Sequence, residues 1–240
     1  MNILLLGYGK MGKIIGQIAE SRGHHLAGKI NLDNLSELEM IDPSHVDVVI
    51  EFSQPESAVA NISWAIERGI PVVSGTTGWL EHRSAIDNLT REKSGAFFYA
   101  SNYSIGVNIF FKVNEFLAKL INETSGYEVA VEEIHHTEKK DAPSGTAITL
   151  AEGIIENLKS KSKWHLTGQV SENEQSIPIT SKRIDPAPGT HIITYSSEID
   201  TLEISHTAHS RQGFALGAVL VAEWIKNKKG VLSMNDFLSF

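Results

Sequence analysis

The run EEIHHTEKKDAPSGTA, from Glu132 to Ala147, gathers two imidazoles, two adjacent ammonium groups and several carboxylates ahead of a Ser-Gly-Thr turn. An imidazole titrates near neutral pH and can hand over a proton. His135 and His136 close the stretch YEVAVEEIHH, which alternates like a strand, so their side chains should point to opposite faces. One can then serve as proton donor while the other faces an anion, and the two are poorly placed to ligate one metal. With no cysteine and no HExxH spacing, no metal site is expected. Lys139 and Lys140 add fixed positive charge. Asp141, Pro143 and Ser144-Gly145-Thr146 read as a capped helix start whose backbone N–H groups can seat a carboxylate. The same letters also suit a solvated turn with two incidental histidines. Arg211, in HTAHSRQGF, is a further carboxylate-binding candidate, since Arg stays charged and binds carboxylates bidentately; a surface charge at a helix end is the alternative.

A second group of residues opens the chain. The apolar run NILLL leads into GYGKMG, with Gly7, Gly9 and Gly12, and then into the helix-like KIIGQIAESRG. A glycine turn between a buried strand and a helix lets backbone N–H groups approach a pyrophosphate. An acid about 20 residues further on would bind the ribose hydroxyls. Asp33 is the candidate, with an ordinary loop acid in NLDNLSE as the alternative. Lys10 and Lys13, near the phosphate turn, favour a 2′-phosphate, so NADH and NADPH both stay open. SGTTG (Ser74–Gly78), EFSQPE and ASNYS each end a strand-like run. Any one of them reads as a plain strand-to-helix turn with a Thr N-cap. Three polar turns on one rim beside the glycine loop describe a cofactor groove.

The elements that must position these groups follow from the alternation of strand-like and helix-like runs up to AFFYA, the signature of a doubly wound parallel sheet. A long helix from about Ile105 follows, then a strand, a helix from Gly145, and three β-rich runs, SIPITSKR, THIITYSS and IDTLEISHTA. Successive strands of this kind predict a second domain of α+β type. The apolar tail QGFALGAVLVAEWIKNKKG is one helix, expected to pack back on the first domain. With hinges near Ser104 and Arg211, residues 1–104 and 212–240 form the dinucleotide-binding domain and residues 105–211 the second. The 240 residues are 41% hydrophobic, with a formal net charge of −8. That balance argues against a nucleic-acid or anionic-membrane partner but leaves room for a small anion held by a local cationic cluster. Ile3 to Leu6 is too short for a signal segment, and no run is long enough to span a bilayer. A cytoplasmic protein is expected, and the absence of cysteine fits a reducing compartment. NLKSKSK reads as a solvated loop.

GTTGW, SNYSIGVN, EIHHTEKKDAPSGTA and HSRQGFALGAV, behind the glycine loop, closely resemble the 4-hydroxy-tetrahydrodipicolinate reductase (dihydrodipicolinate reductase) family over nearly the whole chain. The resemblance implies a Rossmann domain, a substrate domain on a mixed, mainly four-stranded sheet that also builds a homotetramer, and NADH or NADPH as hydride donor. It implies His135 as proton donor and Lys139 as the second catalytic group, also holding substrate. His136, Gly145, Thr146 and Arg211 match positions that bind a small dicarboxylate substrate. Gly7, Tyr8, Gly9, Lys10, Met11 and Gly12 match the pyrophosphate loop. Gly75, Thr76, Thr77, Ala100, Ser101, Asn102 and Tyr103 match turns at the nicotinamide, and Phe52 joins them from EFSQPE. The chain departs from the family between the second strand and VDVVIEF, where it is short and where the family normally places an acid, often with a basic neighbour, at the strand end. Such chemistry suits these letters: after hydride addition to a conjugated cyclic imine, a carbon must take a proton, and cations must orient a dianion. Two rival readings are another small Rossmann reductase, of which the thiol-dependent semialdehyde type is excluded by the absence of cysteine, and a nucleotide sensor without turnover.

Overall fold

The computed structural model describes residues 1–124, 126–168, 174–210 and 212–240. In chain order the elements begin with β1 (Asn2–Leu6), α1 (Lys10–Ser21), β2 (His25–Ile30), β3 (Val48–Glu51), α2 (Pro55–Glu67), β4 (Val72–Ser74), α3 (Arg83–Glu92) and β5 (Ala96–Tyr99). They continue with α4 (Ile105–Asn122), β6 (Glu128–His135), α5 (Gly145–Asn157), β7 (Lys163–Leu166), β8 (Ser176–Arg183), β9 (Gly189–Ser196) and β10 (Thr201–Ala208). The last are α6 (Gln212–Ile225), β11 (Gly230–Leu232) and α7 (Met234–Leu238). The chain divides into two units, Met1–Ile105 with Gln212–Phe240, and Gly106–Arg211.

In the first unit six strands lie in the order β11-β5-β4-β3-β1-β2, every neighbouring pair parallel. The unbroken apolar run of β1 is explained by its place inside the sheet. Ile3 and Leu5 enter one hydrophobic cluster with Ile15 and Ala19 of α1, while Leu4 and Leu6 enter the other with Ile62 and Ala65 of α2. A strand buried on both faces has no polar side to show. The short link between β2 and β3 holds two 3-10 segments, Leu32–Met40 and Pro43–His45. α6 adds Ala215, Ala218, Val219 and Ala222 to the cluster of Ile3 and Leu5. It comes so close to the turn after β5 that a Cβ on Gly217 would stand 1.8 Å from the Tyr103 carbonyl oxygen. β11 lengthens the sheet beyond β5, a short strand that no sequence periodicity announces.

In the second unit the strand order is β10-β9-β6-β8-β7. β6 runs parallel to β8 and antiparallel to β9, so the sheet is mixed. β7 adds a fifth strand to the four expected; its residues KWHL are too few to show a period. The apolar sides of α4 and α5 meet Val129, Val131, Ile177, Ile179 and Ile193 in one cluster. The Asn114 amide of α4 donates to the Leu150 carbonyl of α5 at 2.9 Å, which fixes the two helices against each other. Along β6 every second residue is buried: Val129, Val131, Glu133 and His135. The buried face thus turns from apolar to polar toward the strand's C-terminal end. Among the described residues no helix is long and apolar enough to cross a membrane.

Gly217→Ala should destabilise the first unit by about 3 kcal/mol, because backbone rather than a movable side chain fills the space. Urea unfolding measures it; an unchanged midpoint would contradict the close packing of α6.

Candidate active site

In the first unit the glycine loop is shaped by contacts that only glycine permits. Gly7 has φ +96°, and a Cβ there would lie 2.1 Å from the Phe52 carbonyl oxygen. A Cβ on Gly12 would meet the Gly7 carbonyl oxygen at 2.1 Å, whereas Gly9 faces open space. The Tyr8 N–H donates to Asn31 Oδ1 at 2.6 Å, tying the loop to the end of β2. Helix α1 then starts at Lys10 with no side chain capping it, so its first N–H groups stay available to an anion. A cavity of about 310 Å3 is lined by residues including Gly7, Gly9, Asn31, Asp33, Phe52 and Asn61. A second, of about 360 Å3, is lined by Gly9, Lys10, Met11, Phe52 and Gly75 to Thr77 among others. A glycine cradle, free helix N–H groups and adjoining cavities fit a dinucleotide.

The rim is held from below by Glu51, fully buried at the end of β3. Its carboxylate accepts from Ser53 Oγ at 2.5 Å, Ser74 Oγ at 2.6 Å and Thr76 Oγ1 at 2.8 Å, and from the Ser53 N–H at 3.0 Å. Thr76 therefore spends its hydroxyl on the protein. Tyr103 does the same, donating to the Ser74 carbonyl at 2.6 Å and packing its ring on Phe52 and Phe98. What these two residues can offer a coenzyme is backbone. Ala100 is buried, Ser101 is exposed and Asn102 is half-buried, its Oδ1 accepting from the Ser104 N–H at 2.9 Å.

In the second unit the register of β6 with its neighbours assembles a polar patch. Glu133 stands opposite Ser181 on β8 and His191 on β9, and His135 stands opposite Arg183. Glu133 is fully buried. The Ser144 N–H donates to both its oxygens at 3.1 Å, and Arg183 Nη2 donates to Oε1 at 3.2 Å. His135 Nδ1 lies 3.4 Å and His191 Nε2 3.8 Å from Oε2. The two imidazoles meet edge to face with centroids 5.1 Å apart. Burial pushes the Glu133 carboxyl up, but hydrogen bonding from Ser144 and the charge of His135 outweigh it and hold the group below the usual carboxylate range. Burial pushes His135 down, with Glu133 opposing and Lys139 and Arg183 reinforcing. Burial, then the charge of His135, drives His191 down to about 4.

The loop beyond β6 is fastened at several points. Thr137 donates its N–H and Oγ1 to Asp185 at 3.1 and 2.6 Å. Arg183 donates to the carbonyls of Lys139 and Asp141. Lys139 Nζ lies 2.8 Å from both oxygens of Asp141, whose pKa the ammonium lowers. Ser144 caps α5 through its Oγ, which accepts from the Ala147 N–H at 3.2 Å. The N–H groups of Gly145 and Thr146 then open the helix, with Gly145 facing free space. His136, the residue after the strand ends, is half-buried, and Lys140 is exposed. Arg211 lies outside the described residues.

Sequence reasoning missed Glu133, Arg183 and His191. Glu133 had a signal, since it lies two residues before His135 and so on the same strand face. Arg183 and His191 come from other strands, and only the register brings them in. Glu133, His135 and His191 offer ligand atoms within 4.8 Å of one another, a spacing a metal ion could use. Here Arg183 and the Ser144 N–H already hold the carboxylate, and the guanidinium supplies the positive charge.

A nucleotide cradle at the C-terminal ends of a parallel sheet, with a separate imidazole and cation site, defines a Rossmann-type NAD(P)-dependent oxidoreductase. Residues 1–103 match the family described as dihydrodipicolinate reductase, N-terminus, and residues 106–238 match its C-terminus. The chain belongs to the dihydrodipicolinate reductase family. It is 48% identical to the 4-hydroxy-tetrahydrodipicolinate reductase of Christiangramia forsetii, over 100% of this chain and 98% of that one. It is 35% identical to the enzyme of the same name from Methanosarcina barkeri, over 87% of this chain and 80% of that one. Its fold resembles that of a dipicolinate-bound dihydrodipicolinate reductase from a Paenisporosarcina species, with TM-score 0.80 at 22% identity, covering 99% of both chains.

The His191 shift carries a consequence for stability. Above pH 6.5 the ring is neutral folded or unfolded; below it the unfolded chain takes a proton that the folded protein refuses until about pH 4. Stability should therefore fall as pH drops through that window, by on the order of 3 kcal/mol from this group. His191→Asn should flatten this part of the curve. Chemical denaturation across pH checks it, and an equal slope in both proteins would contradict it.

Proposed function

We propose that the chain carries out the reaction its family is named for: reduction of 4-hydroxy-tetrahydrodipicolinate to tetrahydrodipicolinate with NADH or NADPH, in lysine and diaminopimelate synthesis. The observation that carries the reading is the juxtaposition in the second unit of a buried imidazole, His135, with Lys139 and the open first turn of α5. NADH or NADPH, when bound, supplies the hydride. The substrate is a small dicarboxylate, the chemical class of the dipicolinate bound to the Paenisporosarcina protein. One carboxylate sits on the N–H groups of Gly145 and Thr146, where the helix dipole favours an anion. Lys139 leaves Asp141 for the substrate and orients it, with His136 and Arg211 completing the anion site.

Loss of water from the 4-hydroxy substrate conjugates a C=C bond to its C=N bond. Hydride addition at the far carbon leaves an enamide anion, and His135 delivers to carbon the one proton that restores the imine. The incoming dianion works in the same direction, because negative charge beside a buried imidazole favours its protonated form. His135→Gln should lower kcat about 100-fold or more with little change in KM, because a group acting only in the transition state is removed. Lys139→Ala should lower kcat and raise KM. Coenzyme absorbance, followed with the condensation product of pyruvate and aspartate semialdehyde, reads both. Undiminished turnover in His135→Gln would sink the proton-donor role, and no turnover by the wild type with either coenzyme would favour a sensor.

Asp33 lies in the wall of the cavity of about 310 Å3, and none of the residues lining that cavity is Lys or Arg. A carboxylate without a cation beside it accepts from a ribose 2′-hydroxyl and repels a 2′-phosphate. NADH should therefore bind more tightly than NADPH, and Asp33→Ala should narrow the gap about tenfold. Fluorescence titration of both coenzymes measures this directly; tighter NADPH binding by the wild type would contradict it. The resemblance also extends to a cytoplasmic homotetramer. An exposed apolar stripe along α4, Ile109, Val113, Phe116 and Leu120, supports self-association.

A further inference from the structure

We propose that Glu133 is a positioning residue for the protonation step: it turns His135 so that Nδ1 faces its own carboxylate and Nε2 faces the open side of the site, and it holds the first turn of α5 beside that imidazole. This deepens the reading of His135 as proton donor and rests on it. The Nδ1 atom is buried and makes no hydrogen bond among the described residues; the group it faces is this carboxylate, 3.4 Å away. The contact is a little long for a hydrogen bond, as catalytic contacts often are before substrate binds. On the other side of the ring stands Gly189, where a Cβ would come within 3.1 Å of Nε2. Gly189 therefore keeps Nε2 uncovered, and Nε2 is the atom left to hand over a proton.

The carboxylate has a second task. Its oxygens take the Ser144 N–H, the residue before α5 begins, and Arg183 Nη2, whose guanidinium also holds the carbonyls of Lys139 and Asp141. One buried anion thus sets the imidazole, the anion-binding helix start and the loop carrying Lys139 in a common frame. The charged groups that bear on His135 are Glu133 on its own strand, Arg183 on β8, His191 on β9, and Lys139 and Asp141 on the following loop. His191 in turn feels His206 on β10. Of these, Glu133 and Asp141 favour the imidazolium, and Lys139 and Arg183 oppose it. After the proton leaves, Glu133 keeps the remaining proton on Nδ1, so the ring is reset without turning.

Two measurements test this. The first is the ring-nitrogen NMR of His135 in the wild-type protein above its pKa, which needs no turnover. The proposal requires the Nδ1–H tautomer; a dominant Nε2–H tautomer would overturn it. The second is the pH profile of kcat in Glu133→Gln, which keeps the shape and removes the charge. Expected are a drop in kcat of about tenfold or more, a KM within about threefold, and an alkaline limb moved to lower pH by about one unit, with Glu133→Asp restoring much of the limb. An unmoved limb with unchanged kcat, or a loss confined to KM, would overturn the proposal. If Glu133→Gln does not fold, the wild-type tautomer decides. If the wild type shows no reductase turnover, the reaction assignment fails, while the tautomer still judges the role of Glu133.

Discussion

A carboxylate taken out of water must be surrounded by donors or lose its charge, and Glu133 meets that demand near the C-terminal end of β6. Fully buried, it accepts from the Ser144 N–H and from Arg183, with the imidazoles of His135 and His191 standing 3.4 and 3.8 Å away. Each donor comes from a different part of the chain. Satisfying one anion therefore fixes the register of β6 against β8 and β9, the start of α5 and the path of the Lys139 loop. Removing the charge alone is a smaller perturbation than removing the side chain, which would leave Arg183 facing an apolar gap at a cost of about 3–5 kcal/mol. The first unit repeats the device with Glu51, whose carboxylate gathers Ser53, Ser74 and Thr76 beneath the nucleotide rim.

The arrangement explains how a protein of net charge −8 can take a dianion. The positive potential is local: helix N–H groups at Gly145 and Thr146, the Lys139 ammonium and an imidazole poised to become charged. Burial depresses His135, so the free protein carries it mostly neutral near pH 7. In the proposed site, a substrate bearing two negative charges would reverse that balance. On the proposed reading, the proton is taken up when it is needed and is not held at rest.

Much of this was legible in the sequence. Glycine spacing behind NILLL located the nucleotide loop, because the strand, the turn and the helix each have a local signature. Strand alternation separated His135 from His136, and the Ser-Gly-Thr run announced the start of α5. β7 and β11 were not legible, being too short to show a period. Thr76 and Tyr103 were legible only by position. Their side chains turn inward to Glu51 and to the Ser74 carbonyl, which no pattern of letters reveals. Arg183 and His191 escaped for a different reason: their role exists only through cross-strand register, a long-range property that a linear reading does not contain.

The central claim is that a dicarboxylate docks at the start of α5 and thereby protonates His135. Calorimetric titration of the coenzyme-bound protein with dipicolinate, in two neutral buffers of different ionisation enthalpy, tests it most directly. The account predicts buffer-dependent heats corresponding to net proton uptake on binding, and loss of that uptake in His135→Gln. Binding with no proton uptake, or uptake that survives in His135→Gln, would contradict it.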